Sequence, residues 1–441
     1  MRNKSQVTAQ VPRWWAHGGP AWSGGWVLRR RRRVSMLSVL VGLPVVALGA
    51  TAIQPGTSSA APAPITIALV TSRTGLSAPE TASDPAGFEA RIALQNAEGG
   101  VNGHKLVPLV IDDQTNPETL MTGLQEADSK AIGIVSESQL FYLGDKVPQQ
   151  AGVPVTGSYT DGPEWGTPPF TNMFAADLGS LNPMLPVNTL EGKILKQYGG
   201  TTLGAYGYSI SPSSSREAVA TARSFQHAGG KVGVVNTTLA LDTQSFSAVA
   251  LTAKDMGVNA LFPTMIDSSN FALATALKQA GVHIKSAVFA SGYSPTAITS
   301  PAWPDLQGGY FLSIFRPFSL PNAGTMQMQS ALEKYEHFTK GQFPTLFQYE
   351  AWAGADLMID GLKGAGPNPT HASLIKSLRN ITSYTANGLL PNPIDYKTTF
   401  GHDPKQQCVW VLKAEQKGFV PTSSTPTCGT DLPGTTTVND K

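Results

Sequence analysis

Six times along this chain a stretch with helical periodicity runs into glycine, and a short apolar stretch follows almost at once. The junctions are Gly99-Gly100-Val101, Gly152-Val153, Gly199-Gly200, Gly229-Gly230-Lys231-Val232, Gly257-Val258 and Gly281-Val282. Glycine ends a helix at little cost in the left-handed conformation, so each junction reads as the turn from a helix into a strand. Strands alternating with helices at this spacing build parallel sheets with helices on both faces. In such sheets the ligand crevice lies beyond the carboxyl ends of the strands.

The first half reads as β-α-β-α-β-α-β. Ile65–Val70 is a short apolar strand, and Asp84-Pro85 opens a helix with a cap and a first-turn proline. His104–Ile111 is a second strand, ending in Asp112-Asp113, a pair expected to cap a turn or bridge to the loop after the first strand. A helix entered at Asn116-Pro117 leads to a strand over Ala131–Val135 and the polar turn Ser136-Glu137-Ser138-Gln139. Val153–Thr156 is the fourth strand. The alternation resumes after the Pro-rich stretch 162–170. Helices are expected over 183–197, 213–228, 243–256 and 269–280, and strands over 202–208, 231–235, 258–263 and 283–290. Further helices follow near 324–340, 345–363 and 370–380, then a hairpin-like tail that looks frayed from Thr422 onward except at Cys428.

At 441 residues the chain exceeds one ordinary domain. Charged residues are 14% of it and the net charge is +2, so no global field points to nucleic acid. Five positive charges form one run, Arg29 to Arg33, followed by the uncharged apolar stretch Val34–Ile53 and the small residues Thr57–Ala61. That order predicts a secretory signal and an exported protein. An apolar stretch of about 20 residues also spans a bilayer, so a retained anchor over 34–53 is the alternative. The two cysteines, Cys408 and Cys428, are expected to pair in an exported protein, the alternative being two free thiols.

Ser72-Arg-Thr-Gly75, the Gly87–Asn96 helix, Gly99-Gly-Val-Asn-Gly103 and Asp112-Asp113 follow one another at set intervals. This pattern resembles the Leu/Ile/Val-binding solute-binding proteins of branched-chain amino acid ABC transporters, from about Ile65 to Gly366. The resemblance implies the periplasmic-binding-protein type I fold: two Rossmann-like α/β lobes, parallel sheets flanked by helices, joined by a three-crossing hinge. It divides the chain into an N-terminal extension (1–61), lobe 1 (62–176 plus 314–385), lobe 2 (177–313 plus 386–428) and a flexible tail (429–441). It implies an extracytoplasmic receptor, monomeric and without cofactor or metal. Such a receptor traps a small amino-acid-like or polar ligand by hinge closure and presents it to a membrane permease. In that family the turns after the third and fourth strands hold the ligand's carboxylate, here Ser138 with Gln139 and Thr160 with Asp161. Helix N-termini suit an anion on independent grounds. The second lobe is expected to close with Tyr208 or Ser211, the segment Ile266-Asp267-Ser268, and Gly292-Tyr293. The position where the family places an acid against the ligand's ammonium falls at Gly292 or Tyr293, neither of which is a carboxylate; Asp161 or Asp267 would have to substitute. A buried ammonium without a partner costs several kcal/mol, which argues against a plain branched-chain amino acid.

Two other functions compete. The same fold held on the membrane would be a ligand sensor. Gly207-Tyr208-Ser209-Ile210-Ser211 comes close to the hydrolase elbow G-x-S-x-G, with Ser209 as nucleophile and His371 or His402 as base. Ser211 replaces the glycine that the elbow needs for close backbone approach, which argues against a hydrolase. The chain has neither H-E-x-x-H nor G-x-x-x-x-G-K-[ST].

Overall fold

The computed structural model describes residues 62–157, 164–165, 168–177, 186–398, 400 and 406–432. The 34–53 segment, Thr160, Asp161 and His402 lie outside the described residues.

The first half forms one parallel sheet from β1 (Ile65–Thr71), β2 (Leu106–Asp112), β3 (Ile134–Glu137), β4 (Val155–Gly157) and β5 (Met173–Ala175). The strand order is β2-β1-β3-β4-β5, a doubly wound arrangement whose direction switches between β1 and β3. Between the strands run α1 (Ala78–Thr81), α2 (Pro85–Ala97), α3 (Pro117–Lys130) and α4 (Lys146–Ala151). Asn116 caps α3, its side chain accepting from the N–H groups of Glu118 and Thr119. Gly152 ends α4 in the left-handed conformation, and a glycine at each of the other five junctions also has a φ between +66° and +102°. The punctuation legible in the sequence is therefore the punctuation of the backbone.

The order then repeats. After α5 (Leu190–Gln197) come β6 (Thr202–Tyr208), α6 (Pro212–His227), β7 (Lys231–Leu239), α7 (Ser247–Asp255), β8 (Ala260–Thr264) and α8 (Asp267–Gln279). They are followed by β9 (Ser286–Phe289), the short helices α9 (Pro295–Thr299) and α10 (Trp303–Leu306), and β10 (Tyr310–Ser313). Their parallel order, β7-β6-β8-β9-β10, copies that of the first sheet.

The chain next returns to the first lobe with α11 (Ala323–Tyr335), α12 (Leu346–Ala365) and α13 (His371–Arg379). It crosses a third time to finish the second sheet with β11 (Gln406–Glu415), β12 (Gly418–Pro421) and β13 (Thr427–Thr430), all antiparallel to their neighbours. Helix α12 is apolar on most sides and buried along almost its whole length, packed on β3, β4 and α2. The ion pair of Arg91 with Asp356, 2.7 Å long and shielded from water, fixes it to α2. Asn102 donates its amide to the carbonyls of Leu362 and Gly366, both at 3.0 Å, so the Gly99–Gly103 element caps the end of α12.

Three expectations are corrected. Residues 186–189 are not helical: Asn188 receives the N–H of Leu190 on its side chain, and the described helix starts there. Strands β5 and β10 carried no signal, being three and four residues long. The chain from Thr422 to Leu432 is not frayed, because β13 pairs with β11 and Asp431 bridges to Asn188.

Cys408 and Cys428 face each other across that pairing and form a disulfide. A closed loop of about 20 residues limits its contribution to roughly 3 kcal/mol on the chain-entropy model. Cys428→Ser is expected to lower the melting temperature by several degrees while the far-ultraviolet dichroism stays native. A second test concerns Gly87 in α2, where an added Cβ would lie 2.0 Å from the carbonyl oxygen of Gln348 in α12. Gly87→Ala should destabilise the fold by about 3 kcal/mol, measured by urea unfolding.

Candidate functional site

At the carboxyl edge of the first sheet, two aspartates organise the loops. Asp112 accepts the N–H groups of Arg73 and Gln114, both at 2.9 Å, and the Thr74 hydroxyl at 2.8 Å. Asp113 accepts from Ser72 at 2.6 Å, from the N–H of Thr115 at 2.8 Å, and from the Ser138 hydroxyl. The Asp112-Asp113 pair thus bridges to the loop after β1. Ser138 is fully buried, and its hydroxyl is committed to Asp113 and to the N–H of Leu140. Its place is behind the turn, holding it in shape.

Gln139 faces the other way. Its carbonyl accepts from Ser77, and its amide donates to Glu80 Oε2 at 2.8 Å. Glu80 Oε1 accepts the backbone N–H of Asp267, at the start of α8 in the second lobe. Asp267 in turn accepts from the Ser291 hydroxyl at 2.6 Å. Tyr208, at the end of β6, donates its hydroxyl to Ser269 at 2.8 Å. Beside this contact Tyr142 of the first lobe donates to the carbonyl of Ile210 at 2.9 Å. The two sheets therefore meet carboxyl end to carboxyl end, in a closed arrangement. Gln139, Tyr208 and Asp267 come together around Glu80. Tyr293 lines a small crevice with Glu80 and Asp267, its ring stacked on Phe343 and edge-on to Phe419.

A cavity of about 160 Å³ opens beneath this contact, along the carboxyl edge of the second sheet. Its apolar walls include Leu190, Phe262, Met265, Leu312, Phe347 and Leu390. Five carboxylate residues also line it: Glu80, Asp177, Glu191, Glu217 and Glu350. Among the described residues no lysine, arginine or histidine does. Arg216 lies behind the wall, 3.1 Å from Glu217, and gives a second hydrogen bond to the carbonyl of Pro186.

Burial dominates the electrostatics. It pushes Glu191 up to about 8, with the neighbouring Glu217 adding to the shift and Arg216 opposing it. Glu217 is raised by burial against the pull of Arg216. Glu80 is raised well above the carboxylate range by burial and then by Asp267, which itself rises to about 6 through burial. Glu350 is raised by burial and then by Asp177, Asp84, Glu80 and Asp267. Each of these groups meets an environment that disfavours negative charge.

The carboxylates of this wall were not foreseen from sequence. They come from α1, the 177 crossing, α5, α6 and α12, separated by up to 270 residues, and no local spacing links them. Among the described residues the hydrolase constellation does not assemble. Ser209 donates to the carbonyl of Leu239, Ser211 caps α6, and His371 sits at the start of α13 in the other lobe.

Comparison with known proteins follows the geometry. Solved structures that superpose include a fatty acid ABC transporter substrate-binding protein from Thermomonospora curvata, 15% identical with a TM-score of 0.66, covering 84% of this chain and 93% of that one. The leucine-binding protein LivK from Thermotoga maritima is 13% identical with a TM-score of 0.68, covering 83% and 99%. An ABC transporter solute-binding protein from R. palustris, in complex with benzoate, is 15% identical with a TM-score of 0.66, covering 82% and 97%. At these identities the likeness is one of fold. No curated protein matches the chain by sequence. The family described as periplasmic binding protein matches residues 64–418, most of the chain and both of its lobes. The chain is a two-lobed α/β protein of the periplasmic binding protein family.

Proposed function

We propose that this protein is the extracytoplasmic receptor of an ABC importer. It captures a small organic solute between its lobes by hinge closure and presents the closed form to a membrane permease. It acts as a monomer and performs no chemistry on its ligand. The observation that carries this reading is the Glu80–Asp267 contact, which joins the two sheets at their carboxyl ends above a cavity. Lobes joined by three chain crossings can separate to admit a ligand, which then stabilises the closed state. We assign lobe 1 to 62–176 plus 314–385 and lobe 2 to 177–313 plus 386–428. We assign Gln139, Tyr208 and Asp267 to the contact around Glu80 that roofs the cavity. Ser138 acts through Asp113 and Tyr293 supports the 291–293 turn, while Thr160 and Asp161 stay candidates from the sequence pattern alone.

An anchored sensor on the same fold is the second reading, favoured by the uncharged run 34–53. N-terminal sequencing of the mature protein decides between them.

Two outcomes test the receptor. Micromolar capture requires about 8 kcal/mol, and a thermal-shift screen of amines, amino acids, amides and aromatic acids should find compounds that raise the melting temperature. Ser138→Ala should then weaken calorimetric affinity several-fold without unfolding the protein; unchanged affinity would remove Ser138 from any role in the site.

Closure should also depend on pH. Glu80 and Asp267 are raised where the lobes meet, next to Asp84, Asp177 and Glu350, so the closed form binds more protons than the open one. Its extra stability is fully present below the ordinary carboxylate range and is lost as pH rises through about 6 at Asp267 and higher at Glu80. Small-angle scattering of the unliganded protein should give a smaller radius of gyration at pH 5 than at pH 8.

A further inference from the structure

We infer that the solute is an amphipathic organic cation, an ammonium or amidinium on an apolar body, held in the cavity with its charge against Glu191 and Glu217. The inference rests on the receptor reading and names the class of molecule that site takes.

Glu191 is the observation that points to a ligand. It lies in the first turn of α5, is 6% exposed, and lines the cavity. Among the described residues its carboxylate receives a hydrogen bond from its own backbone N–H alone, with Arg216 attracting it from behind the wall. Its neighbours around the cavity are differently placed. Glu217 has Arg216 and Thr221, and Glu80 has Gln139 and the N–H of Asp267. A carboxylate removed from water without a partner is costly, and a cation seated against it removes that cost. The remaining walls select an apolar body, with Phe262, Met265 and Phe347 offering aromatic and thioether surface. A volume of about 160 Å³ admits a molecule of on the order of ten non-hydrogen atoms. Anions find little to hold them here: among the described residues that line the cavity, no lysine, arginine or histidine faces a bound carboxylate.

Proton and ligand then serve the same end. With the cavity empty, Glu191 holds its proton up to about 8 under burial and the proximity of Glu217. The other groups facing it are Glu80, Asp177 and Glu350 on the wall and Arg216 behind it, so a bound cation displaces a proton. An amine that stays charged should bind more tightly at pH 8 than at pH 5.5, which a ligand held by hydrogen bonds alone would not do.

The test uses two probes with the same hydrocarbon and opposite charge, phenethylamine and 3-phenylpropanoate, titrated calorimetrically into the mature protein. Phenethylamine should bind at least tenfold more tightly than the acid, release protons at pH 6.5 as shown by buffers of different ionisation enthalpy, and reduce the radius of gyration. Glu191→Gln should weaken the amine at least tenfold and abolish its proton release. The same variant should melt no lower than the parent at pH 8, because it removes a buried unpaired charge. Tighter binding of 3-phenylpropanoate, or no binding of the amine, overturns the inference. Were the acid to bind and close the lobes, the cation would be excluded and the capture reading would stand. Were the amine to bind with no change in radius, the site would stand and hinge closure would fall. A Glu191→Gln protein that binds phenethylamine unchanged removes Glu191 from the site.

Discussion

A carboxylate taken out of water must find a cation, a set of hydrogen bonds or a proton, and the space between these lobes is organised by that requirement. Asp112 and Asp113 meet it with hydrogen bonds, collecting backbone N–H groups and hydroxyls from three loops. Asp356 meets it with Arg91. Glu80 shares its oxygens between Gln139 and the N–H of Asp267, and so converts one buried charge into the contact that joins the lobes. Glu191 has its own backbone N–H and the more distant Arg216, and burial still pushes it up to about 8. The first three arrangements are framework. The last is where the protein is incomplete without a proton or a guest.

The fold decides where those carboxylates can meet. A parallel sheet must be covered on both faces, and each lobe solves this with the same winding order, leaving its carboxyl edge bare. Turned toward each other, two such edges enclose a crevice. Helix α12 closes it from the first lobe, and its N-terminal turn carries Leu346, Phe347 and Glu350 to the cavity wall. The opposite end of the 20-residue helix is capped by Asn102, about 30 Å away at 1.5 Å per residue. The sequence element that most resembles the amino-acid receptors, Gly99–Gly103, is thus a fixture of the scaffold and says nothing about the ligand.

That division explains what could be read from sequence. Helix-to-strand junctions are local: a glycine at a positive φ and an apolar run of four or more residues are enough to mark them, and all six junctions are where the pattern places them. Asn116-Pro117 and the α12 capping pair of Thr345 and Gln348 are equally local. Strands β5 and β10 escaped because three or four residues carry no period, and they exist only because a neighbouring strand offers hydrogen bonds. The site escaped for the same reason on a larger scale. Ser138 has the residue type and position of a ligand contact, yet its hydroxyl is taken by an aspartate 25 residues earlier. Glu191 sits in an unremarkable first turn, where an acid is favoured by the helix dipole alone. Only the packing of α5 beside α6 brings it to Glu217 and removes both from water.

The absence of an acid at Gly292-Tyr293 takes on a different meaning in this light. An amino-acid receptor balances one ammonium against one carboxylate on its second lobe, and donors on its first lobe against the ligand's own carboxylate. Here Tyr293 is withdrawn into an aromatic stack, and the donor Ser138 is spent on Asp113. Carboxyl groups have instead gathered one layer deeper, along the edge of the second sheet, where burial favours their protonated form. A zwitterion gains from the first arrangement and has its carboxylate repelled by the second. A molecule with a positive end and no negative one gains from the second throughout. It would also replace the protons that closure otherwise has to gather, so that above the ordinary carboxylate range the closed state comes to depend on the guest.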